Sequence, residues 1–329
     1  MRSYILRRLA LLTGIIFVIS VGSFMLIRLL PGDLGTILLG FANTPANKKE
    51  LFARLGLDKP LVEQYLIWMS HVLQGDLGKS YVSGKSINSI IGKAIPIDLE
   101  IIFLSQLLAL AVALPMSMKA SRKPNGLFDR ISNALSFGFL SIPAFVLVVY
   151  LVVIFGLVLH VPHTVPGSFE PIPGIKLLFH EPAKYFDKWR LNLLAMIVPA
   201  ITGAIGSLVI YFRTLRSDLI ANLQEEFITM ARSKGLSSRR IMWRHALRPS
   251  SVALLSTLGI NIGTAIAGGF VVQSFMGLPG LGQILVASMS STDYIVIQSI
   301  VLVTATAVVV INFAVDFITT LIDPRIARD

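Results

Sequence analysis

The 329-residue chain contains no cysteine, which excludes disulfide frameworks, thiol nucleophiles and zinc or iron–sulfur centres built on cysteine. Charged residues are also scarce, at 14% of the chain, whereas an ordinary soluble domain is about a quarter charged. Hydrophobic residues make up 54%. Because so little polar material cannot cover soluble cores of this size, a soluble globular enzyme is all but excluded.

Long hydrophobic runs are what the chain has instead. The hydrocarbon core of a bilayer is about 30 Å thick and needs about 20 apolar residues in a helix. The first run follows two arginines as in a signal peptide, but it is too long for one and no small-residue cleavage site follows it. The pattern therefore predicts an all-α membrane protein with about six transmembrane helices, at Leu9–Ile27, Ile101–Met118, Ala134–Leu159, Leu191–Phe212, Ser251–Val272 and Tyr294–Ile322.

Basic residues are distributed unevenly among the segments that connect these runs. Of the 29 Lys and Arg, 17 lie in one alternate set, formed by the N-terminus, residues 119–133, residues 213–250 and the C-terminus. The short loop over residues 275–293, in the other set, has none. The positive-inside rule then predicts that both termini are cytoplasmic. Since topology explains most of the +11 net charge, nucleic acid is not expected as a partner.

The long outer loop, residues 31–98, contains one clear helical pattern. Apolar residues recur at helical spacing and predict an amphipathic helix over Lys59–Gln74. Three roles stay open for it: packing onto the helix bundle, lying in the lipid headgroup layer, or contacting an external partner.

The inner loop, residues 213–250, carries the most informative pattern. An apolar stripe of Ile220, Leu223, Phe227 and Met230 predicts one helix over residues 218–233. Gly235 predicts its end, and Ser237 or Ser238 can cap a short second helix that we expect to stop at Pro249. Two roles stay open for this basic helix–glycine–helix segment: a loop attracted to anionic lipid, or a docking element for a cytosolic protein.

The stretch from Phe227 to Pro249 resembles the "EAA" loop of permease subunits of ATP-binding-cassette (ABC) importers, most closely the B-type permeases of dipeptide and oligopeptide uptake systems. Where the family pattern has Glu-Ala-Ala, this chain has Thr229, Met230 and Ala231, and it keeps the glycine at Gly235. Gln273 stands where the family usually has Glu. Matches to the same subgroup follow in order at residues 30–33, 55–60, 64–65, 75–80, 231–236, 244–248, 275–282 and 323–325.

The resemblance implies a type I (MetI-like) importer permease with an extended first extracytoplasmic loop. Residues 1–98 would form the first transmembrane helix and that loop, and residues 99–329 a core of five transmembrane helices in a bacterial inner membrane. It also implies a second homologous permease, two cytosolic ABC ATPase subunits that bind ATP and Mg, and an extracytoplasmic peptide-binding protein, with no cofactor in this chain. The residues implied to couple to the ATPases are Ala231, Lys234, Gly235, Leu236, Arg239, Arg240, His245 and Leu247.

Two glycine-rich stretches resemble nucleotide-binding motifs without meeting their requirements. Gly78-Lys79-Ser80 lacks the earlier glycine of a phosphate-binding loop, because Leu73 occupies that position. The stretch from Gly277 to Gly282 lacks a preceding strand, so it is not a dinucleotide fingerprint. Its small residues predict a tight re-entrant turn at the outer mouth of the fifth span, with either a structural or a substrate-gating role, at Gly277, Pro279, Gly280 and Gly282.

A few polar residues within or near the spans leave alternatives open. His160 and His163 are either solvated or a weak metal candidate. Asp316 is expected to pair with Arg325 or a neighbouring helix, with proton coupling as the alternative. Asn261 and Gln106 either line a polar passage or form hydrogen bonds between helices, and the residues alone do not decide between these roles.

The leading hypothesis is a non-enzymatic, channel-forming subunit of an ATP-driven peptide importer, working by alternating access and without catalytic or metal-binding residues of its own. One alternative is an ion-coupled secondary transporter, which should show several buried ionisable residues and inverted repeats. Others are a membrane scaffold, or the permease of a related ABC system for nickel, glutathione or another small solute.

Overall fold

The computed structural model describes residues 2–28, 44–45, 58–158 and 182–322. Within these ranges the chain is helical, apart from turns and an isolated antiparallel bridge between Lys79 and Ser86. The helices are α1 (Arg2–Arg28), α2 (Leu61–Leu73), α3 (Ile87–Arg122), α4 (Leu127–Leu140), α5 (Ala144–Val152), α6 (Pro182–Leu223), α7 (Glu226–Ser233), α8 (Ser238–Arg240), α9 (Leu247–Met276), α10 (Leu281–Ser290) and α11 (Tyr294–Ile322).

Among the described residues, four helical stretches are long and apolar enough to cross a membrane, and up to six if each of two bent helix pairs counts as one span. This confirms the predicted all-α membrane class. The first predicted run, Leu9–Ile27, lies within α1, where the described residues give an apolar stretch over Ala10–Met25. The second bent pair, Gly269–Met276 with α10, was not among the predicted spans.

The continuous span predicted over Ala134–Leu159 is wrong. The chain bends by 99° between α4 and α5, and the break lies at Ser141–Pro143. Proline disfavours the helical conformation of the residue before it and supplies no N–H for a continuing helix. Pro143 itself is extended, with φ −59° and ψ 142°, and caps α5, which ends in a π-helical turn over Val153–Val158.

The described residues divide into two compact units, and the first comprises Ile97–Leu278 with the chain from Val310 onward. One of its cores surrounds the C-terminal half of α6, where Tyr211, Phe212, Leu215 and Leu219 are fully buried. A second core joins side chains of α3, α5, α6 and α9, among them Ile97, Val148, Met196 and Val272.

Helices of the first unit approach one another closely at two glycines. A Cβ placed on Gly203 of α6 would lie 2.6 Å from the Ser105 Oγ of α3, and one on Gly259 of α9 would lie 2.7 Å from Val315 Cγ1 of α11. Small residues at such crossings let helix backbones pack together in a membrane, where lipid supplies little hydrophobic driving force.

The second unit comprises Arg2–Pro96 and Pro279–Val309. Within it α2 occupies the stretch where an amphipathic helix was predicted, which confirms that prediction to within two residues at the start and one at the end. Its Tyr65 and Trp68 pack against Phe24 of α1, with ring centroids 5.3 and 5.6 Å away. Of the three roles left open for this helix, packing onto another helix of the chain is the one observed.

Candidate functional site

The segment between α6 and α9 begins with a break that the sequence did not indicate. The single helix predicted over residues 218–233 is wrong, because α6 ends at Leu223 and α7 starts at Glu226. Two tight turns close the end of α6: the Gln224 N–H donates to the Ala221 carbonyl at 3.0 Å, and the Glu225 N–H to the Asn222 carbonyl at 3.3 Å. Glu225 and Glu226 then stand at the N-terminus of α7, where negative charge stabilises a helix.

The break changes which face of α7 is buried. Ile228 is fully buried and Ala231 is 6% exposed, whereas Phe227 is 44% exposed and Met230 61% exposed. The predicted stripe is therefore wrong for its second half: Ile220 and Leu223 are half-buried on α6, but Phe227 and Met230 face outward. Residues at helical spacing share one face only within an unbroken helix. The two non-helical residues between α6 and α7 therefore end the common face.

The predicted glycine bend is present and has the geometry of a helix C-terminal motif. Gly235 adopts a left-handed conformation with φ 74°. Its N–H donates to the Arg232 carbonyl at 2.9 Å, and the Leu236 N–H donates to the Ala231 carbonyl at 3.3 Å. This pair of hydrogen bonds is the Schellman pattern. Leu236 then packs against the buried cluster that contains Ala231, so the turn is held on its apolar side.

Of the two serines predicted as caps, Ser237 is the one used. It is extended, and its Oγ accepts a hydrogen bond from the Arg240 N–H at 3.4 Å. The helix that follows does not stop at Pro249 as predicted. Instead α8 continues through a π-helical turn over Ile241–Ala246 into α9, which begins before the proline. The wider π turn is a local irregularity that comes directly before α9, in which Pro249 has no N–H to donate.

The segment has a buried apolar side and an exposed basic side. Ile241, Met242 and Ala246 are buried in the same cluster as α6. On the opposite side, Trp243 is 55% exposed and lines a shallow depression with Ser237, Arg239, Arg240 and Arg244.

The implied coupling residues fall on both sides. Lys234, Gly235, Arg239 and Arg240 are exposed, Leu236, His245 and Leu247 are half-buried, and Ala231 is buried. Trp243 was not predicted to be part of this exposed surface. The available signal was its spacing: two residues after Ile241 in a helix, a side chain lies on the opposite face from Ile241.

Comparison with known proteins identifies the family. Residues 108–328 match the family described as binding-protein-dependent transport system inner membrane component, and residues 1–101 match the N-terminal part of such components. The chain belongs to this family of inner membrane transport components.

Curated relatives of this permease cover nearly its whole length. It is 33% identical to the di/tripeptide transport system permease protein DppB of Pseudomonas aeruginosa, over 99% of both chains. It is 30% identical to the oligopeptide transport system permease protein AppB of Bacillus subtilis, also over 99% of both. The nickel import system permease protein NikB of Staphylococcus aureus is 29% identical, over 97% of this chain and 90% of the relative.

The glycine-rich stretch after α9 forms a turn at the end of that helix in this permease, and its place at an outer mouth stays a prediction. In the first unit α9 ends at Met276, Gly277 is left-handed with φ 65°, and the Leu278 N–H donates to the Gln273 carbonyl at 3.0 Å. In the second unit Pro279 is half-buried, Gly280 and Gly282 are buried, and Gly280 caps α10. Whether the turn gates substrate stays a prediction.

Gln106, for which two roles were open, forms hydrogen bonds between helices. Its Oε1 accepts from the Tyr211 hydroxyl, and its Nε2 donates to Ser207 Oγ at 3.3 Å, so α3 is joined to α6 inside the first unit. Asn261 of α9 is also buried, and its main-chain carbonyl accepts from Thr264 Oγ1 at 2.9 Å.

Three residues named in the remaining polar predictions lie outside the part of the chain that the structure describes. They are His160, His163 and Arg325, the expected partner of Asp316. Within the described ranges, no group of three or more His, Asp or Glu side chains is arranged to hold a metal ion.

Proposed function

We propose that this chain is the channel-forming permease subunit of an ATP-driven importer of dipeptides or oligopeptides. Supporting this substrate class are the full-length relatives whose names state di/tripeptide, dipeptide and oligopeptide transport. The proposed partners are a second homologous permease, two cytosolic ABC ATPase subunits and an extracytoplasmic peptide-binding protein. The subunit is proposed to lie in a bacterial inner membrane with both termini cytoplasmic.

The segment from Glu225 to Pro249 is proposed as the handle through which the ATPases drive the permease. This assignment depends on one observation, that the segment has a buried apolar face and an exposed basic face. Its inner face is packed into the α6 core, and its outer face presents Arg239, Arg240 and Trp243. Exposed arginine and tryptophan are the side chains most enriched at protein interfaces.

Continuity of the backbone supports a mechanical role for the same segment. From Ser238 the chain stays helical through the π turn and α9 as far as Met276. A partner that moves α8 therefore moves the start of a membrane helix, with no loop between them to absorb the displacement. In alternating access, ATP-driven closure of the ATPases would move this helix and switch the passage from inward- to outward-facing.

Charge reversal of the outer face tests the handle. Arg239→Glu with Arg240→Glu should sharply reduce recovery of the ATPase subunits when the permease is purified from membranes, and should reduce labelled dipeptide uptake in parallel. Arg122→Glu with Lys123→Glu is the matched control, because this adjacent basic pair is exposed on the other loop predicted to be cytoplasmic. Equal ATPase recovery from both double variants would contradict the handle and favour simple attraction to lipid.

A nickel importer is the second candidate, and the nickel import system relative is the observation that favours it. Cells that express the complete transporter should accumulate labelled dipeptide and not radioactive nickel. Accumulation of nickel alone would replace the peptide assignment while leaving the handle intact.

A further inference from the structure

A groove of about 480 Å³ in the first unit lies between α4 and α6, away from the proposed handle. On α4 it is lined by Asn133, Phe137 and Leu140, which lie on one face because they are four and three residues apart. On α6 it is lined by a second row at helical spacing: Ile210, Arg213, Thr214, Arg216 and Ser217.

The groove is graded from polar to apolar along its length. At the polar end, Arg216 of α6 forms an ion pair with Asp129 of α4 through two hydrogen bonds, of which Nη2 to Oδ2 is 2.6 Å. Asp129 also accepts from the Asn125 N–H at 2.8 Å and from Asn133 Nδ2 at 3.0 Å. At the other end lie Leu140 and Ile210.

The charge of Arg216 is neutralised by this pairing, but the charge of Arg213 is not. The Arg213 guanidinium carbon lies 4.6 Å from the centre of the Phe137 ring. Among the described residues, Arg213 makes no hydrogen bond or ion pair, and it is exposed. The middle of the groove thus holds a fixed cation against an aromatic wall, with the hydroxyls of Thr214 and Ser217 beside it as further donors.

The position of the groove along α6 places its apolar end toward hydrocarbon and its polar end toward water. Arg213 directly follows the apolar run Leu191–Phe212, so it is placed where hydrocarbon gives way to lipid headgroups. Ile210 lies one helical turn earlier, within that run, and Ser217 lies one turn later, beyond it. Leu140 lines the groove at the same end as Ile210. A phospholipid has the same order of acyl chain, phosphate and polar headgroup.

We propose that this groove binds an anionic phospholipid, with the lipid phosphate on Arg213 and an acyl chain along Phe137, Leu140 and Ile210. Basic pockets between membrane helices are suited to acidic headgroups, since a guanidinium donates two parallel hydrogen bonds to a phosphate. The bound lipid would join α4 to α6 next to the Asp129–Arg216 ion pair.

Native mass spectrometry of the purified full chain tests the proposal with dioleoyl phosphatidylglycerol as probe and dioleoyl phosphatidylcholine as its neutral counterpart. The chain should retain phosphatidylglycerol selectively. Arg213→Gln should weaken that retention about fivefold, the effect of removing one basic residue from contact with an acidic lipid. Phe137→Ala keeps the charge and should also weaken retention, because it removes the wall on which the guanidinium rests.

Arg130→Gln is the matched control, because Arg130 is an exposed arginine of α4 that does not line the groove. It should retain lipid like the parent, and each variant should give the parent's elution volume on size exclusion. Equal losses from Arg213→Gln and Arg130→Gln, or equal retention of the two lipids, would overturn the proposal. Displacement of the lipid by millimolar inorganic phosphate would also overturn it, since a free anion would then be the occupant. Normal lipid retention by Arg213→Gln with loss of ATPase recovery would assign the groove to the ATPase instead.

Discussion

Gly235 acts through its backbone alone. It has φ 74°, and a Cβ added to it would meet no atom within 4 Å. Any effect of a substitution must therefore come from the left-handed conformation, which costs an ordinary residue about 1–2 kcal/mol and a β-branched residue more. Asn tolerates this conformation better than other non-glycine residues.

Gly235→Val should consequently lower dipeptide uptake while the protein still inserts into the membrane, because the turn between α7 and α8 would open. Gly235→Asn should retain most of the uptake. Both variants can be compared by transport into cells that contain equal amounts of permease on immunoblots of membrane fractions. Normal uptake with valine would mean that the turn geometry is not needed for coupling.

Two helices of the first unit are in contact at a single crowded point. At Gly259 of α9, an added Cβ would lie 2.7 Å from Val315 Cγ1 and 2.9 Å from Val315 Cβ of α11, closer than real Cβ atoms are found. Close packing of this kind cannot absorb even one methyl group without displacing a helix. The α9–α11 distance therefore depends on the absence of a side chain at this residue.

Gly259→Ala should destabilise the permease by about 1–3 kcal/mol, seen as a lower melting temperature in detergent. Val315→Ala in the same chain should restore part of the loss, since it removes two of the three crowding carbons. Gly206→Ala is the control, because a Cβ there meets no atom within 4 Å, and it should leave the melting temperature unchanged or slightly higher. Equal losses at both glycines would show that a general effect of replacing a helix glycine, and not this contact, is responsible.

The ends of helices divide into those the sequence could specify and those it could not. Gly235 and Ser237 act on atoms a few residues away, so the residue type alone predicted a turn at Gly235 and a cap at Ser237 or Ser238. The break at Gln224–Glu225 involves no glycine or proline, and the burial of Ile228 instead of Phe227 depends on packing against α6. Pro143 and Pro249 show the limit of local rules: the first stands at a break and caps the start of α5, whereas the second lies inside a continuous helical stretch.

At the scale of the whole molecule, the proposed division of labour leaves ATP to other subunits. The stretch that ends like a phosphate-binding loop is occupied by internal contacts of the second unit. The Ser80 hydroxyl donates to the buried Asp293 carboxylate, and the Gly78 N–H donates to Asp76 Oδ1 at 2.9 Å. Both donors are used by carboxylates of the protein itself, so this stretch forms a turn held by internal hydrogen bonds.

The purified chain should therefore hydrolyse no ATP in a phosphate-release assay, whereas the assembled transporter should. Lys79→Ala should leave the activity of the assembled transporter unchanged, because Lys79 faces no nucleotide in this proposal. Turnover by the chain alone that is abolished by Lys79→Ala would overturn the proposed division of labour.

Side-chain contacts between residues far apart in the sequence could not be predicted from local residue patterns. Asp129 and Arg216 are 87 positions apart, and nothing in either neighbourhood indicates the other. The same holds for Gln106 and Tyr211, whose hydrogen bond answers a question that the residues alone left open. Composition and apolar runs were enough for the membrane class, but side-chain pairing depends on which helices become neighbours.

In the proposed coupling, the helical stretch from Ser238 to Met276, which includes the π turn, acts as a lever. At 1.5 Å per residue it is roughly 60 Å long, more than the thickness of the hydrocarbon core. In the proposed coupling, a displacement of α8 is carried along this helical stretch to Met276, because no loop lies between them. Both ends of the proposed passage would then change state together, which is the condition for a pump that never opens to both sides at once.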